Sequence, residues 1–326
     1  MKTSDLLSLA WMFSICLPGL SVNEVMAQKN TLTKQVGFKH DNDVFRLKHI
    51  TDKFYSFGLI INYTTALRDD NFLKKASENL GFNETDKVVF DNMVYLKGYT
   101  PEYDTDLSTG TFRPFAGVLN WEPSLYISND KRLWRFGTVL GVRGKISGAE
   151  WVQDSFHDLI SDPKFDGWRY QLPNKFLYGI NGSFIKPLPF LNWMDFFSES
   201  NLVLGNYQTF LEENIGLRIG RFNSLNNSVM YFGNLDQLKR NKNEYFLVVK
   251  FFGRAIVTDT TLARDGNKQN VLNPLDKRNL QAGYYAAFHI QAGRFGANVS
   301  HTRNSTESNV SGKHSYGSLG VNYSFH

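Results

Sequence analysis

The amino-acid sequence predicts an all-β fold: an antiparallel transmembrane β-barrel of about twelve strands, with a short loop helix near residues 150–160. Three observations carry this expectation. The chain ends on a strand in which Leu319, Val321, Tyr323 and Phe325 alternate with Ser318, Gly320, Asn322 and Ser324. That period of two gives one apolar and one small polar face. In water such an edge would invite aggregation, whereas in a barrel wall the apolar face meets lipid and the polar face meets the lumen. Aromatic residues make up 15% of the chain, including 27 Phe and 15 Tyr, which suits the interfacial girdles of such a wall. Beyond the N-terminus no segment approaches the ~20 apolar residues of a spanning helix. An integral protein built this way must therefore close a sheet.

The N-terminus fits export. Lys2 precedes an apolar stretch from Leu6 to Leu20, interrupted by Pro18-Gly19, and small residues at Val25-Met26-Ala27 lead to Gln28. This is the order of a secretory signal peptide over residues 1–27; the competing reading is a buried N-terminal helix. Cys16, the one cysteine, lies in the apolar stretch and lacks a preceding Leu-x-Gly box for lipidation. Cleavage after Ala27 would leave a mature chain, residues 28–326, without thiol chemistry, as suits an oxidising compartment. It would also remove Lys2, Asp5 and Glu24, one cation and two carboxylates, so the formal charge rises from +5 to +6. Positive charge suits anionic lipid or phosphate. With no basic run, zinc spacing or nucleic-acid motif beside it, a nucleic-acid partner is set aside.

Twelve windows read as strands, near residues 36–45, 55–66, 89–97, 114–127, 132–145, 171–186, 200–208, 211–220, 244–257, 279–290, 292–303 and 314–325. In the second, Phe57, Leu59, Ile61 and Tyr63 share a face opposite Ser56, Gly58 and Asn62, with Ile60 as the exception. The run from Tyr245 to Phe252 is apolar on both faces. The stretches 67–87, 221–243, 259–278 and 304–313 read as polar solvent loops. Glu150 to Ile160 reads as an amphipathic helix, with Trp151, Val152, Phe156 and Leu159 apolar and Glu150, Gln153, Asp154 and His157 polar. No repeat, Gly-rich phosphate loop, His-Glu-x-x-His or Gly-x-Ser-x-Gly element is present, and the mature chain reads as one domain.

The chemistry-bearing residues are few. Asp41-Asn42-Asp43 puts three oxygen-bearing side chains in a strand, where Asn and Asp are disfavoured. Alternation places Asp41 and Asp43 on one face and Asn42 on the other. Hard oxygen ligands suit calcium; the plainer reading is a strand running into its loop. Ser56 could hydrogen-bond a substrate or simply face a wet lumen. His157 can serve as general base, with Asp154 one turn earlier to orient it, or can be a solvated surface histidine.

In their order these residues resemble the lipid A 3′-O-deacylases of Gram-negative outer membranes, the LpxR-type barrels. The resemblance runs from about residue 35 to the C-terminus. It includes Asn42-Asp43, Asp52 with Tyr55-Ser56-Phe57-Gly58, Tyr99-Thr100-Pro101 and Arg113-Pro114-Phe115-Ala116-Gly117. Gly167-Trp168-Arg169-Tyr170-Gln171 follows the histidine, and Phe252-Gly253-Arg254 with Thr261-Leu262 resembles a late barrel element of the family.

The resemblance implies a carboxylic ester hydrolase in the bacterial outer membrane, acting as a monomer on lipid A of lipopolysaccharide in the outer leaflet. The reaction would be calcium-dependent hydrolysis of the ester holding the 3′-linked acyloxyacyl group, at a site between the wall and a loop helix. Asn42, Asp43, Ser56 and His157 inherit the site, Asp43 being the expected calcium ligand. One departure stands out: members of the family can carry a functional lysine shortly after the Tyr-Thr/Ser-Pro segment, where this chain has Glu102, Tyr103, Asp104, Thr105 and Asp106. Lys97 precedes that segment. The alternatives are an outer-membrane phospholipase and a non-enzymatic channel or structural barrel.

Overall fold

The computed structural model describes residues 32–42, 54–101, 113–161, 164, 166–235, 243–262, 277–309 and 311–326. The expected signal peptide, Asp43, Asp52 and the stretch 102–106 lie outside them. Twelve antiparallel strands form one closed barrel in which every strand pairs with its sequence neighbours and β12 closes on β1. They are β1 Lys34–Asn42, β2 Phe57–Ala66, β3 Lys87–Tyr99, β4 Ala116–Asn129, β5 Arg132–Arg143, β6 Lys175–Leu191, β7 Met194–Gly205, β8 Gln208–Arg221, β9 Glu244–Asp259, β10 Leu280–Ala292, β11 Phe295–Asn304 and β12 His314–Phe325.

Alternation decides which side chain meets which medium. Val36, Phe38, Ile61, Val94, Trp121, Phe136, Phe176, Ile215, Phe251, Val299 and Val321 are large, apolar and exposed on the outer wall. The intervening positions carry charge into the lumen. Lys250 pairs with Glu199 at 3.0 Å, Arg218 with Asp195 at 2.9 Å and Lys39 with Asp41 at 3.1 Å; Arg135 pairs with Glu122. Outside lipid and inside ion pairs, with no strand edge left open, is the arrangement a membrane demands.

The closing seam depends on the last strand. Phe325 pairs with Lys34 and Tyr323 with Val36, while Tyr323 and Phe325 stack near the Phe295 ring at the end of the barrel that carries the termini. Removing Tyr323 to His326 strips β1 of its partners over that stretch. The truncated protein is expected to lose its heat-modifiable band on gels, and an unchanged mobility shift would contradict this role of the seam.

Three details depart from the sequence reading. The sixth strand begins at Lys175 rather than near 171, because a 3₁₀ turn over Asp166–Tyr170 uses the preceding residues. Its far end runs past 186 through Pro187 and Pro189 to Leu191, with a register shift between Pro189 and Leu191, and β7 begins at Met194 rather than near 200. The connection 67–87 contains a helix, α1 Phe72–Asn79, whose N-cap Asn71 accepts from the Leu73 amide at 2.8 Å.

The stretch 221–243 is the largest correction. As far as it is described, it turns into the lumen instead of into solvent. Leu225 packs with Phe197 of β7 and with Phe246 and Val248 of β9, all inward-facing. Polar anchors hold the insert: Tyr231 donates to Glu199 at 3.0 Å, Asn234 donates to Ser324 at 3.0 Å, and Glu244 accepts from the Asn223 and Val229 amides. Its apolar side chains read as loop decoration along the chain, but they are the right size to fill the terminal end of this barrel.

Candidate active site at the rim under a loop helix

The candidate residues lie at the end of the barrel opposite the termini, where β1 to β5 run into their loops. A second helix, α2 Ala149–Ile160, stands in the β5–β6 connection and packs on β3 and β4. An amphipathic helix on a protein in water buries its apolar side and wets its polar one. Here much of that pattern is inverted. Trp151 is 72% exposed and Leu159 80%, whereas Gln153 and His157 are buried, at 4% and 3%. The surroundings explain the inversion: the helix lies over the outer wall of a membrane protein, so its outer side is apolar and its inner side can be polar.

Small residues allow the helix so close. A Cβ added at Gly117 on β4 would come within 2.6 Å of the Ala149 Cβ and collide with the Ser147 hydroxyl. At Gly98 on β3 it would strike the Phe57 ring. Phe57, Phe115, Ala149 and Trp168 then form a dry cluster joined by Leu59, Leu96 and Val152. The upper part of the β2 apolar stripe is thus covered by the helix, while Ile61 and Tyr63 lower down stay exposed. Trp168 donates its indole N–H to the Gln153 carbonyl oxygen at 2.8 Å, and Gln171 donates to Glu150 at 3.0 Å. Two polar contacts and the cluster therefore hold the helix that carries His157.

Beneath it lie the other candidates. Asn42 ends β1, is 5% exposed, and is in register with Phe57 of the dry cluster. Two residues earlier on the same face, the His40 ring lies 6.3 Å from Phe156, the neighbour of His157. Ser56 precedes Phe57; its amide donates to the Gly98 carbonyl, and its hydroxyl shares a 2.6 Å hydrogen bond with that of Thr100. Asn42, Ser56 and His157 are thus brought to one rim. Thr100, within the Tyr-Thr-Pro segment, is a partner that one-dimensional reading did not single out.

Asp41 parts from Asn42, as alternation requires. It points into the lumen, accepts from the Tyr55 hydroxyl at 2.8 Å and pairs with Lys39. Burial, and then the Asp41 charge, push the Tyr55 phenol well above its usual range, so it stays a donor. Lys97 also belongs to the lumen: its Nζ lies 4.4 Å from the Tyr95 ring centroid. It is separated from the His157 helix by the wall.

The neighbouring loops are tied by Arg113, which is 1% exposed. It donates to Thr261 at 3.1 Å and to Glu307 at 3.4 Å, linking three connections across this end. Burial would raise the Glu307 carboxyl, but His314 and Arg113 beside it hold it below its ordinary value.

Calcium needs six to eight oxygens. The rim offers oxygen donors from Asn42, Ser56 and Thr100, which suit a hard cation better than zinc. Among the described residues no group of three or more His, Cys, Asp or Glu side chains is gathered to hold an ion. The expected carboxylate, Asp43, lies outside those residues.

A closed barrel with an apolar exterior, a charged lumen and a polar site under a lipid-facing helix defines an integral outer-membrane β-barrel protein. The chain belongs to the LpxR family: the family model described as "Outer membrane protein LpxR" matches residues 9–325. Among solved structures, LpxR from Salmonella typhimurium superposes with a TM-score of 0.72 at 18% identity, covering 89% of this chain and 99% of that one. The β domain of the Bordetella autotransporter BrkA gives 0.47 at 9% identity, covering 91% and 100%. The Pseudomonas putida toluene transporter TodX gives 0.42 at 8%, covering 90% and 89%. No curated protein matches the sequence.

Proposed function

We propose that this protein is an ester hydrolase of the outer membrane that removes the 3′-linked acyloxyacyl group of lipid A. The observation that carries the reading is His157: buried, on the polar inner side of a helix with an apolar exterior, above the end of β1 that carries Asn42. A solvated surface histidine would not be built this way. An open solute channel is disfavoured by the β8–β9 insert, whose Leu225 and Tyr231 occupy the terminal end of the lumen.

Water is the nucleophile. His157 takes a proton from it as its oxygen bonds to the ester carbonyl carbon. The tetrahedral oxyanion then collapses, the bond to the sugar oxygen breaks, and His157 returns the proton to that oxygen. The products are the free acyloxyacyl acid and a 3′-hydroxyl. Asn42 and Ser56 position the ester or donate toward the oxyanion; the Ser56 hydroxyl can do so when Thr100 is the donor in the bond they share. Asp43 and Asn42 would hold a calcium ion, which when bound polarises the carbonyl.

Chelation is expected to stop hydrolysis and added calcium to restore it; activity indifferent to chelator would remove the ion from the scheme. Mass spectrometry of lipid A from cells with and without the protein tests the substrate. Loss of the 3′ acyloxyacyl mass is expected, and release of phospholipid acyl chains with unchanged lipid A would instead identify a phospholipase.

A further inference from the structure

We propose that α1 is a lipid-facing foot, seated at the headgroup–acyl boundary of the leaflet next to the barrel's termini and occupied there by phospholipid. The helix is inverted in the same way as the one bearing His157. Lys74 and Ser77 are buried at 5% and 2%, while Phe72 is 75% exposed and Leu80 80%. The Lys74 ammonium is committed inward, donating to the Glu84 carbonyl at 2.6 Å and the Asp86 carbonyl at 3.0 Å. A short helix facing water would be expected to turn its apolar side chains in and its lysine out.

The position of the segment points to the occupant. The chain following α1 drapes over the outside of the barrel: the Phe82 ring meets Phe136 edge-on at 6.2 Å, and Asn129 of the β4–β5 end donates to Asp86 at 2.9 Å. Phe136 is an outward residue of the lipid-facing wall, stacked on Trp134, which in turn packs on Phe184. The exposed side of α1 therefore continues an aromatic belt that already faces lipid. Lys75 on the same exposed side suits a phosphate at that level, as on interfacial helices. This inference rests on the membrane barrel and is independent of the ester-hydrolase reading.

Single cysteines at Phe72→Cys, Leu80→Cys and, as a reference in the exposed β4–β5 turn, Lys131→Cys can be spin-labelled, with Cys16 replaced by Ser if it is retained. Each variant is first checked for heat-modifiable mobility, then reconstituted in phosphatidylethanolamine–phosphatidylglycerol bilayers. Collision rates with oxygen and with a water-soluble nickel chelate are then measured. The oxygen-to-nickel ratio is expected to be several-fold higher at 72 and 80 than at 131. Equal ratios at all three would overturn the proposal. So would dipolar broadening at 72 and 80 that disappears on dilution with unlabelled protein, because the occupant would then be a second copy of the chain.

Discussion

His157→Ala is expected to reduce lipid A deacylation by a factor of about 10² to 10⁴, the usual cost of losing a positioned general base. Folding should survive, because the helix is held by Ala149 in the dry cluster and by the Gln153–Trp168 and Glu150–Gln171 bonds, none of which involves the imidazole. Retained heat-modifiable mobility with lost turnover is therefore the expected pair of results. Asp43→Ala should be at least as severe, because ion binding and carbonyl polarisation would fail together. Ser56→Ala should be milder, since Thr100 and water can replace one hydroxyl. A dead Ser56→Ala enzyme, with an acyl group trapped on Ser56 in the parent, would make serine the nucleophile and refute water attack. Lys97→Ala should turn over near normally, as its ammonium sits inside the lumen over Tyr95.

Asp195→Ala should be the most damaging substitution for stability, at about 3–5 kcal/mol, because it strands a buried guanidinium. Arg218 is fully buried and donates through Nε to Asp195 at 2.9 Å, with a second contact from the same group at 2.5 Å. Its guanidinium carbon also lies 4.3 Å from the Phe222 ring centroid, at the start of the luminal insert, so the loss would loosen that insert too. Denaturant titration in detergent or bilayers should show the shift, with Ser200→Ala, on an exposed hydrogen bond, as a mild comparison. A shift below 1 kcal/mol would mean that water reaches Arg218 and that the insert does not seal this end.

Most of the wall was legible along the chain because a strand's two faces are written in adjacent residues. Leu319 and Val321 outside with Ser318 and Ser324 inside, and Asp41 and Asn42 parting to opposite sides, follow from alternation. The seam from Lys34 to Phe325 was foreshadowed by the aromatic end of the last strand. The sixth window stopped at 186 although the strand runs on to Leu191, because a barrel strand can carry Pro187 and Pro189 near a register shift. The helices were harder. The period of α2 was plain, but its buried face was not, since amphipathicity says that two faces differ without saying which medium each meets. α1 and the Leu225–Tyr231 insert looked like polar loop because their apolar residues are too sparse to show a period.

Residue order alone thus gave the fold class, most of the strand windows and the presence of a helix near 150–160, all of which depend on neighbours within a few positions. It could not bring Asn42, Ser56 and His157 to one rim. Their meeting depends on barrel closure, on Gly98 and Gly117 admitting close packing, and on Trp168 reaching back to Gln153. Nor could it turn His157 inward. That orientation arises because lipid, not water, surrounds the outer wall, so Trp151 and Leu159 gain by facing out and the polar side of the helix is left to face the protein.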